Sequence, residues 1–143
     1  MQPYRKLILL TVLGSLFILI AGCSDDNATG PTNELPDTTA YTDITAAEAQ
    51  MLKQTNPDLV IIDVSPMYDN GHIPGAVNHV FADGSLDEAI PTLDKTASYL
   101  IYCHSAPPSI ASAQKLIGAG FTEVYRLEGN FAAWVAAGYD VEP

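Results

Sequence analysis

Positive charge is what this sequence has least of. Lys and Arg number 6 against 17 Asp and Glu in 143 residues, which gives a formal charge of −11. Duplex nucleic acid is bound by clustered cations that neutralise phosphates, so nucleic acid is excluded as a partner. Anionic lipid head groups should repel the body of the chain for the same reason. Long apolar runs are also lacking: the uncharged stretch Leu7 to Ile20 falls short of the roughly 20 residues that a membrane-spanning helix needs. No internal repeat divides the chain. Cysteines are limited to Cys23 and Cys103, and the spacing of Cys103 with His72, His79 and His104 closes no zinc site, so neither metal nor cofactor is expected.

What is present begins with an export signal. Arg5 and Lys6 precede the apolar stretch, and Ile20-Ala21-Gly22-Cys23 follows it, which is the pattern of a secretory signal peptide. The last four residues resemble the lipobox of bacterial-type lipoproteins. That resemblance implies diacylglycerol on Cys23, removal of residues 1–22 and an anchor on the extracytoplasmic side of a membrane, in the cell envelope. Ser24 after the lipidated residue would suit outer-membrane sorting. Loss of residues 1–22 takes away Arg5 and Lys6 and no acid, moving the formal charge from −11 to −13. Residues 23–39 are polar apart from Leu35 and carry Gly30, Pro31 and Pro36, a composition that cannot offset its ordering entropy. They read as a tether holding the domain roughly 20–25 Å from the lipid.

Residues 40–143 suffice for one core. Tyr41 to Ile44, Leu59 to Ile62, Ala76 to Val80, Ser98 to Tyr102 and Glu123 to Leu127 read as strands. Thr45 and Glu48 form a capping box that opens a helix through about Gln54, stopped at Asn56-Pro57. Asp83 to Ile90 is a weak helical pattern. Pro107 to Ile117 is a stronger one, with Ile110, Ala113 and Ile117 on one stripe, and Asn130 to Ala137 carries Phe131 and Trp134 as core residues. Alternating strands and helices predict an α/β fold: a mostly parallel sheet with helices on both faces. In such folds the working site lies beyond the carboxyl ends of the strands.

Cys103 falls at that place, after a strand and before a helix. Backbone N–H groups and the helix dipole there favour negative charge, which suits a thiolate. With Cys23 lipidated, Cys103 has no disulfide partner. On position alone it is either a reactive thiol or a small buried hydrophobe. His104 could stabilise the thiolate or move a proton, or lie in solvent as a loop side chain. Asp63 ends a strand on the same side of the sheet, where it orients neighbouring loops or forms a turn. His72 belongs to Gly71-His72-Ile73-Pro74-Gly75 and is read mainly as fixing that turn. For Arg126 a salt bridge is the expected use.

Two longer motifs carry a family resemblance. Asp63-Val-Ser-Pro-Met-Tyr-Asp-Asn-Gly-His-Ile-Pro-Gly-Ala-Val-Asn78 resembles the first signature of rhodanese-like domains. Tyr125-Arg-Leu-Glu-Gly-Asn-Phe-Ala-Ala-Trp-Val-Ala-Ala-Gly-Tyr139 resembles their C-terminal one. The resemblance spans residues 40–143 and implies a five-stranded sheet. It also implies sulfur transfer, in which Cys103 holds a persulfide between a small sulfur donor and a thiol acceptor.

The loop departs from that pattern. In Cys103-His-Ser-Ala-Pro-Pro-Ser109, Pro108 stands where active members have arginine, Ala106 where they have glycine, and His104 at a position often filled by arginine. Ser65 replaces another arginine. Pro107 and Pro108 take two N–H donors from the anion cradle, and the missing guanidinium groups remove bidentate clamps. His104, Ser105 and Ser109 are left as substrate-binding residues around catalytic Cys103. The alternative is a non-catalytic module that binds an envelope protein partner or senses redox state. A cysteine phosphatase or arsenate reductase needs the arginine that Pro108 displaces.

Overall fold

The computed structural model describes residues 40–143; the expected export signal, lipid-bearing Cys23 and tether fall outside the described residues. Five strands form one sheet: β1 (Thr42–Ile44), β2 (Val60–Asp63), β3 (Val77–Asn78), β4 (Ser98–Tyr102) and β5 (Glu123–Leu127). Their order is β1-β5-β4-β2-β3, and every pairing is parallel. The sheet is therefore wholly, not merely mostly, parallel.

Four helices cover it: α1 (Ala46–Thr55), α2 (Ser85–Ala89), α3 (Ala106–Gly118) and α4 (Asn130–Ala136). Thr45 opens α1 with the expected reciprocal cap, its N–H donating to Glu48 Oε2 (2.8 Å) while Glu48 N–H donates to Thr45 Oγ1 (3.3 Å). Two apolar layers result. Leu100, Tyr102, Leu127 and Trp134 belong to the layer with α1 and α4; Ile62, Ile101, Cys103, Leu116 and Val124 belong to the layer with α2 and α3. Burial on both faces explains why the β2 and β4 segments read as unbroken apolar runs. Arg126 on β5 bonds to Asp43, its register neighbour on β1, at 2.7 Å, which is the ion-pairing role expected of it.

Several expected bounds shift. The strand anticipated over Ala76 to Val80 keeps two residues, and the weak helix shrinks to α2 followed by a 3₁₀ turn over Ile90–Thr92. Gly84, at φ 87°, delays the start of α2, and Pro91 ends α-helical bonding after it. Helix α3 starts one residue early, at Ala106, because prolines fit the first turn without losing a helical hydrogen bond. Its buried stripe is Ser109, Ser112, Ala113 and Leu116, rotated from the anticipated Ile110, Ala113 and Ile117. Serine on a buried helix face hides that stripe from a hydropathy pattern.

Candidate active site at the carboxyl end of β4

Cys103, His104 and Ser105 link β4 to α3 at the carboxyl edge of the sheet. Side chains alternate along a strand. Tyr102 enters the α1/α4 layer and Cys103 the α2/α3 layer, where it is a free thiol only 2% exposed. Its backbone is gripped from the start of α4: the Cys103 N–H donates to Asn130 Oδ1 (3.3 Å), and the Phe131 N–H donates to the Cys103 carbonyl (3.0 Å).

Ser105 is the N-cap residue of α3, and its Oγ lies 3.9 Å from the Cys103 Sγ. A capping serine normally accepts from the N–H of the second or third helical residue. Here those are Pro107 and Pro108, which have none, and Ser105 makes no capping bond. Its hydroxyl is left to the sulfur. The same two prolines thin the N–H cluster that an anion meets at a helix start. Ser109, expected to contact substrate, is instead fully buried on α3, and its hydroxyl donates to the Ala106 carbonyl at 3.0 Å.

His104 turns to the other layer. Its ring stacks on Phe131 with centroids 4.5 Å apart, and Nε2 stands 3.6 Å from Asp63 Oδ2. With 16% side-chain exposure it is not a solvated loop residue. Asp63 is fully buried; Oδ1 accepts the Ser65 N–H (2.8 Å), and its carbonyl accepts from His79 N–H (3.0 Å) and Asn78 Nδ2 (2.9 Å). Asp63 thus ties down the turn between β2 and β3. Among the described residues, Asp63 Oδ2 and His104 Nε2 are buried without a hydrogen-bond partner, and they face each other at 3.6 Å.

Tyr102 anchors the floor. Its hydroxyl accepts the Ile73 N–H at 3.0 Å. Burial drives its phenol far above the usual tyrosine range; the Ile73 bond opposes this, and the nearby Asp63 carboxylate adds to it. The phenol stays neutral and holds the Gly71–Gly75 turn against β4. His72 sits in that turn, stacked on Tyr68 (3.7 Å), with Nδ1 3.3 Å from the Tyr68 carbonyl and Nε2 3.5 Å from Glu142 Oε2. Its backbone pairs with Glu142 in both directions at 2.9 Å. His72 is therefore part of a latch between the turn and the C-terminal segment, apart from the thiol.

Asn130 is not among the residues that the sequence marks as the site, and Phe131 is marked there only as core. The available signal was the pair Gly129-Asn130 before a helix, since these are the residue types that tolerate left-handed backbone.

A wholly parallel α/β sheet that offers one cysteine between a strand's carboxyl end and a helix start defines a class of cysteine-bearing domains. Within that class, the family model described as "Rhodanese-like domain" matches residues 45–137. The chain belongs to the rhodanese-like family. It is 37% identical to thiosulfate sulfurtransferase GlpE of Coxiella burnetii over 98 residues, covering 67% of this chain and 89% of the relative. The rhodanese-like domain of the Anabaena protein Alr3790 superposes with a TM-score of 0.63 at 29% identity, over 70% of this chain and 77% of that one. A thiosulfate sulfurtransferase from Pseudomonas aeruginosa gives a TM-score of 0.61 at 27% identity, over 71% of this chain and 20% of the larger one.

The His104–Asp63 contact yields a stability prediction. His104→Ala removes the imidazole that faces the buried Asp63 Oδ2 and should lower the unfolding free energy by about 1–3 kcal/mol. Urea denaturation measures this, and an unchanged midpoint would show that the pair does not hold the loop.

Proposed function

We propose that this chain is an envelope lipoprotein whose Cys103 carries sulfur as a persulfide, loaded from a donor less anionic than thiosulfate. The observation that carries the reading is the placement of Cys103: at the carboxyl end of β4, its backbone clamped by Asn130 and Phe131, with the Ser105 hydroxyl at its sulfur. Relatives named thiosulfate sulfurtransferase support the reaction type. In the first step the Cys103 thiolate attacks the outer sulfur of a persulfide R–S–SH. The new S–S bond forms Cys–S–SH, and R–S⁻ leaves with the electron pair of the broken bond. In the second step an acceptor thiolate attacks the outer sulfur of Cys–S–SH, takes that SH group, and restores the Cys103 thiolate.

Charge argues for the donor class. Lys53 and Lys115 lie in the last turns of α1 and α3, and Lys95 precedes β4, so all three belong to the opposite end of the sheet. Lys115 is also paired with Asp87 at 2.5 Å, and Arg126 with Asp43 at 2.7 Å. Among the described residues no cation stands ready to clamp a dianion, and the prolines weaken the helix start. Sulfur donors with one charge or none, such as low-molecular-weight persulfides, lose less at such a site than thiosulfate does. Residues 1–22 as a removed signal and Cys23 as the lipid-bearing residue would hold this chemistry within a tether's reach of the membrane.

A second reading, a binding or redox-sensing module, draws on the 2% exposure of Cys103. Sulfur loading decides between them. Residues 24–143, which contain the whole two-layer core, are incubated with polysulfide, a glutathione-type persulfide or thiosulfate; intact mass and thiocyanate released by cyanide are then read. A gain of one sulfur that disappears in Cys103→Ser is expected, and no adduct from any donor would leave the binding module. Intact mass of the full chain recovered from membranes tests the anchor: a chain starting at Cys23 with diacylglycerol is expected, and a chain retaining residues 1–22 overturns it. Pro108→Arg should raise thiosulfate turnover over Pro108→Ala by roughly tenfold or more, the worth of a charged hydrogen bond. Equal rates in the two variants would mean that the absent clamp is not what limits thiosulfate use.

A further inference from the structure

We infer that Asn130 is a positioning residue for Cys103, setting the posture of the thiol from α4 where the loop before α3 cannot. The inference rests on the sulfur-transfer reading for its purpose but on geometry for its content. Asn130 is the one non-glycine residue with left-handed backbone among the described residues, at φ 57°, next to Gly129 at φ 70°. Gly129 has no alternative, because a Cβ there would meet the Ala133 Cβ at 2.7 Å. At 130 the backbone would accept glycine as readily as asparagine, so conformation alone does not call for a side chain.

What asparagine adds is an acceptor. The residue is 5% exposed, and Oδ1 takes the N–H of Cys103, 27 residues earlier in the chain, at 3.3 Å. The next residue, Phe131, donates its N–H to the Cys103 carbonyl at 3.0 Å. Two successive residues of one segment therefore fix the peptide groups on both sides of the thiol-bearing carbon. The α3 side offers less: Pro107 and Pro108 have no N–H, and Ser105 reaches Sγ only through a 3.9 Å contact. Because Asn130 Oδ1 occupies the Cys103 N–H, that donor is also withheld from any anion at the sulfur. The same bond that orients the thiol thus sharpens the preference against dianionic donors.

Full-length protein with Asn130→Gly keeps the left-handed backbone and loses the acceptor. Three readouts are taken: the melting temperature, the pH profile of Cys103 alkylation by iodoacetamide, and the rate of sulfur loading from cysteine persulfide by intact mass. Asn130→Gly should melt within a few degrees of wild type, shift the alkylation profile, and load roughly tenfold more slowly. Asn130→Asp keeps an oxygen in place; compared at equal thiolate fraction, it should load within about a factor of two of wild type. A wild-type alkylation profile and loading rate in Asn130→Gly overturns the inference, as does an Asn130→Asp variant as slow as Asn130→Gly. If Asn130→Gly does not fold, the same three readouts are taken on Asn130→Ala, which also lacks the acceptor, and a wild-type alkylation profile and loading rate there overturns the inference. Should wild type take up no sulfur, the transfer reading fails, yet the alkylation profile still reports whether Asn130 sets the thiol.

Discussion

Burial of β4 on both faces is the constraint from which the site follows. The strand lies between β2 and β5, and Tyr99 to Tyr102 have almost no exposure. A side chain on such a strand must enter one apolar layer or the other, and alternation allows no choice of which. Tyr99 and Ile101 go to the α2/α3 layer, and Leu100 and Tyr102 to the α1/α4 layer. Carried past the end of the strand, the same alternation sends Cys103 toward α3 and His104 toward Phe131. Neighbours in sequence thereby become members of separate constellations. The cysteine sits with Ser105 and Asn130; the histidine sits with Asp63 and Phe131.

The two constellations are nevertheless joined through rigid parts. Asp63 faces His104 on one side and lies beside the Tyr102 hydroxyl on the other, and that hydroxyl holds the Ile73 N–H. Phe131 stacks on His104 while its N–H holds the Cys103 carbonyl. Two bonds of this set, Ile73 N–H to the Tyr102 hydroxyl and Phe131 N–H to the Cys103 carbonyl, are made, and the low local dielectric strengthens each. It also makes the loop expensive to rearrange. The thiol-bearing residue is thus held by bonds to its own peptide groups from the start of α4.

Much of this was legible in the sequence, and the illegible part has a common physical cause. β4 and β5 could be read to the residue, since apolar runs bounded by turn residues carry their own limits, and the capping box at Thr45 announced α1. The place of Cys103 followed from strand and helix order alone. By contrast, Asn130 bonds to a residue 27 positions away, and His104 meets Asp63 across 41 residues of chain; neither contact has a local pattern. The burial of Ser109 has no local pattern for a related reason. A serine beside a reactive cysteine looks like a ligand, but its place one turn into α3 put the hydroxyl on the buried face and against the Ala106 carbonyl.

The double proline is best understood as a change of donor set rather than as damage. In a helix start with ordinary residues, a serine N-cap would turn its oxygen toward the helix and leave free N–H groups for an anion. Pro107 and Pro108 remove the N–H groups that would hold Ser105 and would also hold the anion. The hydroxyl is then released to the sulfur, where it can donate a single neutral hydrogen bond. One neutral donor stabilises a localised charge on one sulfur far better than a charge spread over several oxygens, which needs several donors or a guanidinium. A thiolate or persulfide anion has the first kind of charge and thiosulfate the second. The chain keeps the fold, the cysteine and its backbone clamp, while proline has taken N–H groups from the start of α3.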